Sequence, residues 1–99
     1  MRIALAQIAP HLGNVKKNLA LHLEAAEKAR REKAGLVVFP ELGLTGYHLR
    51  DLVASVALDP GRAPLFRELK SLSREIALVV GFVEESPEAK GLFFNSAAF

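Results

Sequence analysis

The sequence predicts an α/β protein: a β-α-β unit followed by a loop, a second helix and a β-hairpin. Three observations carry that prediction. Apolar runs of strand length recur at "RIALAQIA" (2–9), "LVVF" (36–39), "ALVVGFVEE" (77–85) and "GLFFNSAAF" (91–99). Two intervening segments repeat their apolar residues every three or four positions, which is the period of a helix. No internal repeat, low-complexity tract or linker breaks the order, so residues 1–99 read as one unit with no second domain.

Residues 2–9, bounded by Pro10 and Gly13, read as a largely buried strand. Asn14 is placed to cap a helix in which Val15, Leu19, Leu23 and Ala26 share one narrow face. The opposite face carries Lys17, Glu24, Glu27, Lys28 and Arg31. Glu24 with Lys28 and Glu27 with Arg31 are acid-before-base pairs four residues apart. The basic cluster "KARREK" falls at the negative end of the helix dipole, and Gly35 is expected to end the helix. "LVVF" is too short for a helix and rich in β-branched and aromatic residues. It reads as a second buried strand, parallel to the first through a right-handed crossover.

After the loop that starts at Pro40, "DLVASVAL" (51–58) reads as a short helix and "DPG" (59–61) as a turn. Pro64 suits the first turn of the next helix, where Leu65, Leu69, Leu72 and Ile76 form an apolar stripe and Arg67, Lys70 and Arg74 the polar face. The last two apolar runs, joined by "SPEAK" (86–90), are expected to pair antiparallel. Phe99 falls inside an apolar run with no turn or capping residue, so the chain reads as the front part of something longer.

Composition narrows the function classes. The 99 residues are 51% hydrophobic and 24% charged, which is the balance of a soluble globular chain with a modest core. The net charge is +2 and the basic residues are interleaved with acids, so neither a nucleic acid nor an anionic membrane is an expected partner. Cysteine is absent, which excludes disulfides, thiolate metal sites and a cysteine nucleophile within these residues. The opening lacks the pattern of a signal peptide, and no uncharged apolar stretch reaches the roughly 18 residues of a membrane helix. A cytoplasmic protein is the expectation, and the abundance of Arg, Glu, Ala and Leu leans toward a thermophilic source.

One stretch points to chemistry. "VVFPELGLTGY" (37–47) drives apolar residues into Pro40 and then sets Glu41 where a buried strand ends. In open α/β sheets the crevice beyond the carboxyl ends of the strands is where ligands bind. Pro40 biases Phe39 toward extended geometry and removes a backbone donor, which fixes how the chain leaves the sheet. Glu41 is therefore either a pre-positioned base or a loop carboxylate that caps nearby backbone.

The stretch "GLVVFPELGLTGY" resembles the strand-and-loop motif of the nitrilase, or carbon–nitrogen hydrolase, superfamily. The opening "RIALAQIAPHLGNVKKNLA", with Gln7, Gly13, Asn14 and Asn18, is similar to the family's first strand and helix. "VVGFVEE" and "LFFNSAAF" resemble its later strand pair, with an Asn-Ser step at Asn95 and Ser96. The resemblance runs through the whole chain. It implies the front part of an α-β-β-α sandwich, with residues 1–99 forming the amino-terminal part of a single carbon–nitrogen hydrolase domain. It also implies that Glu41 is the first member of a Glu-Lys-Cys triad whose lysine and cysteine follow later. Lys70 and Lys90 match neither position, since one falls on a helix face and the other in a hairpin connection.

On this resemblance the substrate is a small amide, carbamoyl compound or nitrile, and Glu41 takes the proton of the cysteine thiol. Such a base is expected to be partly desolvated, with its pKa raised toward the working pH. Tyr47 either lines the substrate pocket or packs with its hydroxyl hydrogen-bonded. Asn95 either orders the active-site loops or satisfies strand backbone, the second being favoured. His11, His22 and His48 show no ligand spacing, so no metal is expected. With no phosphate loop or dinucleotide fingerprint, no cofactor is expected either. The resemblance further implies a homo-oligomer. Two other readings remain: the glutaminase domain of a glutamine-dependent NAD synthetase, which "PELGLTGYHLRDL" also resembles, and a non-catalytic interaction module that keeps the fold.

Overall fold

A computed structural model describes all 99 residues. Strand β1 (Ile3–Leu5) is followed by helix α1 (Val15–Arg31) and strand β2 (Leu36–Val38). A single 3₁₀ turn (Arg50–Leu52) runs into the short helix α2 (Val53–Val56), and helix α3 (Leu65–Leu72) precedes the hairpin of β3 (Ala77–Glu85) and β4 (Phe93–Ala98). The four strands form one sheet in the order β1-β2-β3-β4, with β1, β2 and β3 parallel and β4 antiparallel to β3. The predicted β-α-β unit and hairpin are both present.

Strand alternation assigns the two faces of this sheet. Val37 lies opposite Leu78, and these residues together with Val80 and Phe82 point toward the helices. They build the main core with Phe39, Leu44, Ala26 and Ala29 of α1, Leu69 of α3 and Ile76. The other face carries Ile3 and Leu5, which are 54% and 76% exposed, and the half-buried Leu36, Val38 and Val79. A smaller cluster of Leu49, Val56 and Val83 closes the far end, where Leu42 and Phe93 pack on it.

Several local expectations are corrected. β1 spans only three residues and is largely exposed, because it is an edge strand whose outward side chains meet no second layer. Asn14 caps α1 as predicted, its side chain accepting from the Lys17 N–H at 3.1 Å. The deepest line of that helix, however, is Asn18, His22, Ala26 and Ala29 rather than Val15, Leu19, Leu23 and Ala26. The helix ends one turn of chain before Gly35, through Lys33 in the left-handed region at φ 63°. Glu27 pairs with Arg31 at 3.3 Å and, closer, with Arg30 at 2.8 Å, whereas Glu24 and Lys28 form no ion pair. Arg30 beside it holds the Glu27 carboxyl below the usual carboxylate range. Ile76 extends the apolar stripe from beyond the end of α3, as the residue that leads into β3.

Candidate active site

β2 stops at Val38, and the last parallel-sheet bond on that side runs from the Phe39 N–H to the Val79 carbonyl at 2.9 Å. Pro40 has no N–H to continue the ladder. The chain bulges outward through Glu41 and Leu42, closes on itself with Gly43 N–H donating to the Pro40 carbonyl at 3.0 Å, and rejoins β3 where Leu44 N–H donates to the Gly81 carbonyl at 3.0 Å. Leu42 takes a left-handed backbone, φ 52°, which is uncommon for a branched side chain and marks a tightly determined turn.

Two glycines make room for this bulge. A β-carbon on Gly81 would lie 2.6 Å from the Leu42 nitrogen and 2.9 Å from the Pro40 oxygen, so the loop rests directly on bare β3 backbone. On the loop itself, a β-carbon at Gly43 would meet His22 Nε2 at 3.0 Å. Gly81 was not singled out from sequence. The available signal was a glycine inside an otherwise apolar strand, which marks close approach of another backbone.

Helix α1 holds the loop from below with its two buried polar residues. Asn18 is fully buried. Its Nδ2 donates to the Leu44 carbonyl at 3.0 Å and to the His11 carbonyl at 2.8 Å, while its Oδ1 accepts from the His11 N–H at 2.6 Å. One side chain thus joins the loop after β1 to the loop after β2, and Gly13 N–H adds a bond to the Thr45 carbonyl at 3.0 Å. His22 is also fully buried and stacks on Phe39 with ring centroids 4.2 Å apart. Its Nδ1 donates to the Asn18 carbonyl at 2.6 Å, which leaves Nε2 as an unpaired acceptor against Gly43. Burial pushes the imidazole pKa down, so the ring is held neutral.

Glu41 stands at the crest of the bulge. It shares a cleft of about 550 Å³ with Pro10, Leu12, Pro40, Tyr47 and His48. Tyr47 is 61% exposed and meets His48 edge-on at 5.1 Å, so its ring forms a wall of the cleft rather than part of the core. Two sequence expectations change here. Glu41 is exposed in residues 1–99, so the desolvation expected of a base is not supplied by this part of the chain. Asn95 does not serve strand backbone, because its Nδ2 donates to Glu41 Oε1. Lys70 and Lys90 are exposed and do not line the cleft. His11 and His48 are exposed as well, and no three His, Cys, Asp or Glu side chains converge anywhere. A second groove of similar size runs between β1 and α1 past Gln7, Glu24 and Lys28, and contains none of the expected site residues.

Known proteins share this fold and sequence pattern. The glutamine-dependent NAD(+) synthetase of Acinetobacter baylyi is 39% identical over 98% of this chain and 17% of its own length. The solved structure of the glutamine-dependent NAD+ synthetase from Acinetobacter baumannii superposes with a TM-score of 0.74 at 34% identity, over 97% of this chain and 18% of that one. An amidase from Nesterenkonia sp. superposes with a TM-score of 0.73 at 30% identity, over 96% of this chain and 38% of that one. The chain therefore spans less than a fifth of the synthetases and well under half of the amidase. The profile of the carbon-nitrogen hydrolase family matches residues 2–99, so the strand, bulged loop and glutamate described above are those of a chain that belongs to this family.

Proposed function

We propose that this chain supplies the amino-terminal part of a hydrolase domain that cleaves non-peptide carbon–nitrogen bonds in a small amide, carbamoyl compound or nitrile, with Glu41 as its general base and Tyr47 on the substrate wall. The observation that carries the reading is a carboxylate at the carboxyl end of a buried parallel strand, fixed on a strained loop and open to a cleft. Residues 1–99 contain no cysteine, so the nucleophile belongs to sequence outside them. An amidase related to this chain carries acrylamide added at its active site cysteine, which supports a thiol as that nucleophile.

The resemblance implies the order of events for an amide. Glu41 takes the thiol proton, the thiolate attacks the carbonyl carbon, and the family's lysine stabilises the oxyanion that forms. The amine leaves with the proton that Glu41 had taken. Water, deprotonated by the same carboxylate, then attacks the thioester, releasing the acid and restoring the thiol. Desolvation of Glu41 comes from whatever covers the cleft in the complete protein. A cytoplasmic homo-oligomer of thermophilic origin belongs to the same reading, on the resemblance and the composition.

A second reading is favoured by one observation. The relative that is 39% identical is a glutamine-dependent NAD(+) synthetase, which makes the side-chain amide of glutamine a candidate substrate and the glutaminase domain of such a synthetase a candidate identity. Ammonia release from glutamine, compared with release from simple aliphatic amides, separates the two. In the complete protein, Glu41→Gln is expected to fold normally and to lower turnover by about 10²- to 10⁴-fold, the usual contribution of a general base. Turnover within a few-fold of the unaltered protein would return Glu41 to a structural role and favour a non-catalytic module.

A further inference from the structure

The hairpin brings a neutral amide to the carboxylate from a distant part of the chain. Asn95 lies opposite Val83 in the β3–β4 register, while Gly81 lies opposite Ala97. Alternation therefore places Asn95 and Gly81 on the same face of the sheet, two positions apart along the hairpin. This is the face over which Pro40 to Leu42 bulges, and only a residue without a β-carbon at position 81 lets that backbone lie flat enough to meet β4. Ser96, one residue on, points to the opposite face and donates to Glu84 Oε1 at 2.9 Å. The Asn-Ser step thus sends one side chain to the cleft side and the other away from it.

We propose that Asn95 is the positioning residue of the general base: its amide fixes Oε1 of Glu41 in one orientation and leaves Oε2 as the oxygen that exchanges protons with the reacting groups. The proposal rests on Glu41 being that base. Asparagine suits the task better than the alternatives at the same place. Its amide donates to an ionised carboxylate without cancelling the charge, as a lysine would, and without titrating in the working range. The nitrogen end must face Glu41, since the amide oxygen would repel it. The other titratable groups near this pair are His48 and Tyr47 on the cleft wall and Glu85 further along the same face of β3, and none of them bonds to Glu41.

The test compares Asn95→Asp, Asn95→Ala and Glu41→Gln in the complete protein, measuring kcat and KM for a primary carboxamide substrate as a function of pH, with thermal melts to establish folding. Asn95→Asp is isosteric and places two carboxylates in contact, which ionise together only reluctantly. The acid limb of its kcat/KM profile is expected to move up by about one pH unit or more, the scale of a like-charge neighbour. Asn95→Ala is expected to lose about tenfold or more in kcat with KM nearly unchanged, as a misoriented base would. A purely structural asparagine would lower activity without moving the limb, so an unmoved limb in Asn95→Asp overturns the proposal. If Glu41→Gln itself retains full turnover, the base reading falls first and takes this role with it. If Glu41→Gln is inactive and the limb stays fixed, only the positioning role fails.

Discussion

His22 and Gly81 show how single residues that stand outside the cleft shape the loop that carries Glu41. His22 is neutral because burial disfavours its cation, and its protonation would place an unpaired charge beneath Gly43 and the Glu41 loop. Since its folded-state pKa lies below the ordinary imidazole value of about 6.5, the unfolded chain takes up the proton first as the pH falls. Stability from this residue is therefore complete above that ordinary value and is lost as the pH falls toward and through the lower folded value. Denaturation measured against pH in the complete protein is expected to show this slope, and His22→Gln is expected to remove it. Gly81→Ala sets a β-carbon 2.6 Å from backbone that has no free rotamer to adopt. Overpacking of that kind costs about 1 to 3 kcal/mol, so a lower melting temperature is expected, with a further loss of turnover because the displaced backbone carries Glu41. Glu41 itself was legible in the sequence, as a charged residue directly after an apolar strand and a proline. Gly81 was less so, because a glycine inside an apolar strand signals a close approach without saying of what, and the backbone that approaches belongs to a loop about forty residues away.

At the scale of elements, α1 explains where periodicity succeeds and where it slips. The cap at Asn14 and the length of the helix follow from local chemistry and were readable. The phase of its buried face was only partly so: His22 falls on the apolar face of the pattern, Asn18 is no part of the predicted stripe, and both are fully buried. They are tolerable there because Asn18 uses both ends of its amide on loop backbone. Asn18→Ala removes the partner of the buried Leu44 carbonyl and of the part-buried His11 N–H, while the His11 carbonyl keeps its bond from the Asn14 N–H. Its expected cost is about 3 kcal/mol, from buried groups left unpaired, visible as a lower denaturation midpoint with an unchanged slope. β1 is the opposite case: its apolar run predicts burial, but burial needs a second layer that residues 1–99 do not place over Ile3 and Leu5. The β3–β4 pairing was legible because alternating apolar runs and a polar connection are local features. The contact from Asn95 to Glu41 depends on which face each register position takes, and no local pattern encodes that.

For the molecule as a whole, α1 and α3 cover one face of the sheet, while on the other α2 and the Glu41 loop cover only the far end and leave Ile3, Leu5 and their half-buried neighbours largely open. A contiguous apolar surface of this kind drives association in water, so a polypeptide of residues 1–99 made by itself is expected to self-associate in light scattering. Leu5→Lys, which charges the most exposed strand residue of that face, is expected to reduce the scattering. A monodisperse, cooperatively melting monomer would show that the open face is tolerated. The two hydrophobic clusters have a different implication. Phe39 and Leu44 anchor in the main core, whereas Leu42 anchors in the small one with Leu49, Val56 and Val83. Glu41 lies between those anchors, like the deck of a bridge between two piers. Its position is then set by the separation of the piers, and a cavity opened in the smaller one, as by Val56→Ala, reaches the carboxylate without touching it. The short helix α2, which contributes no group to the cleft, becomes the footing on which the placement of Glu41 depends.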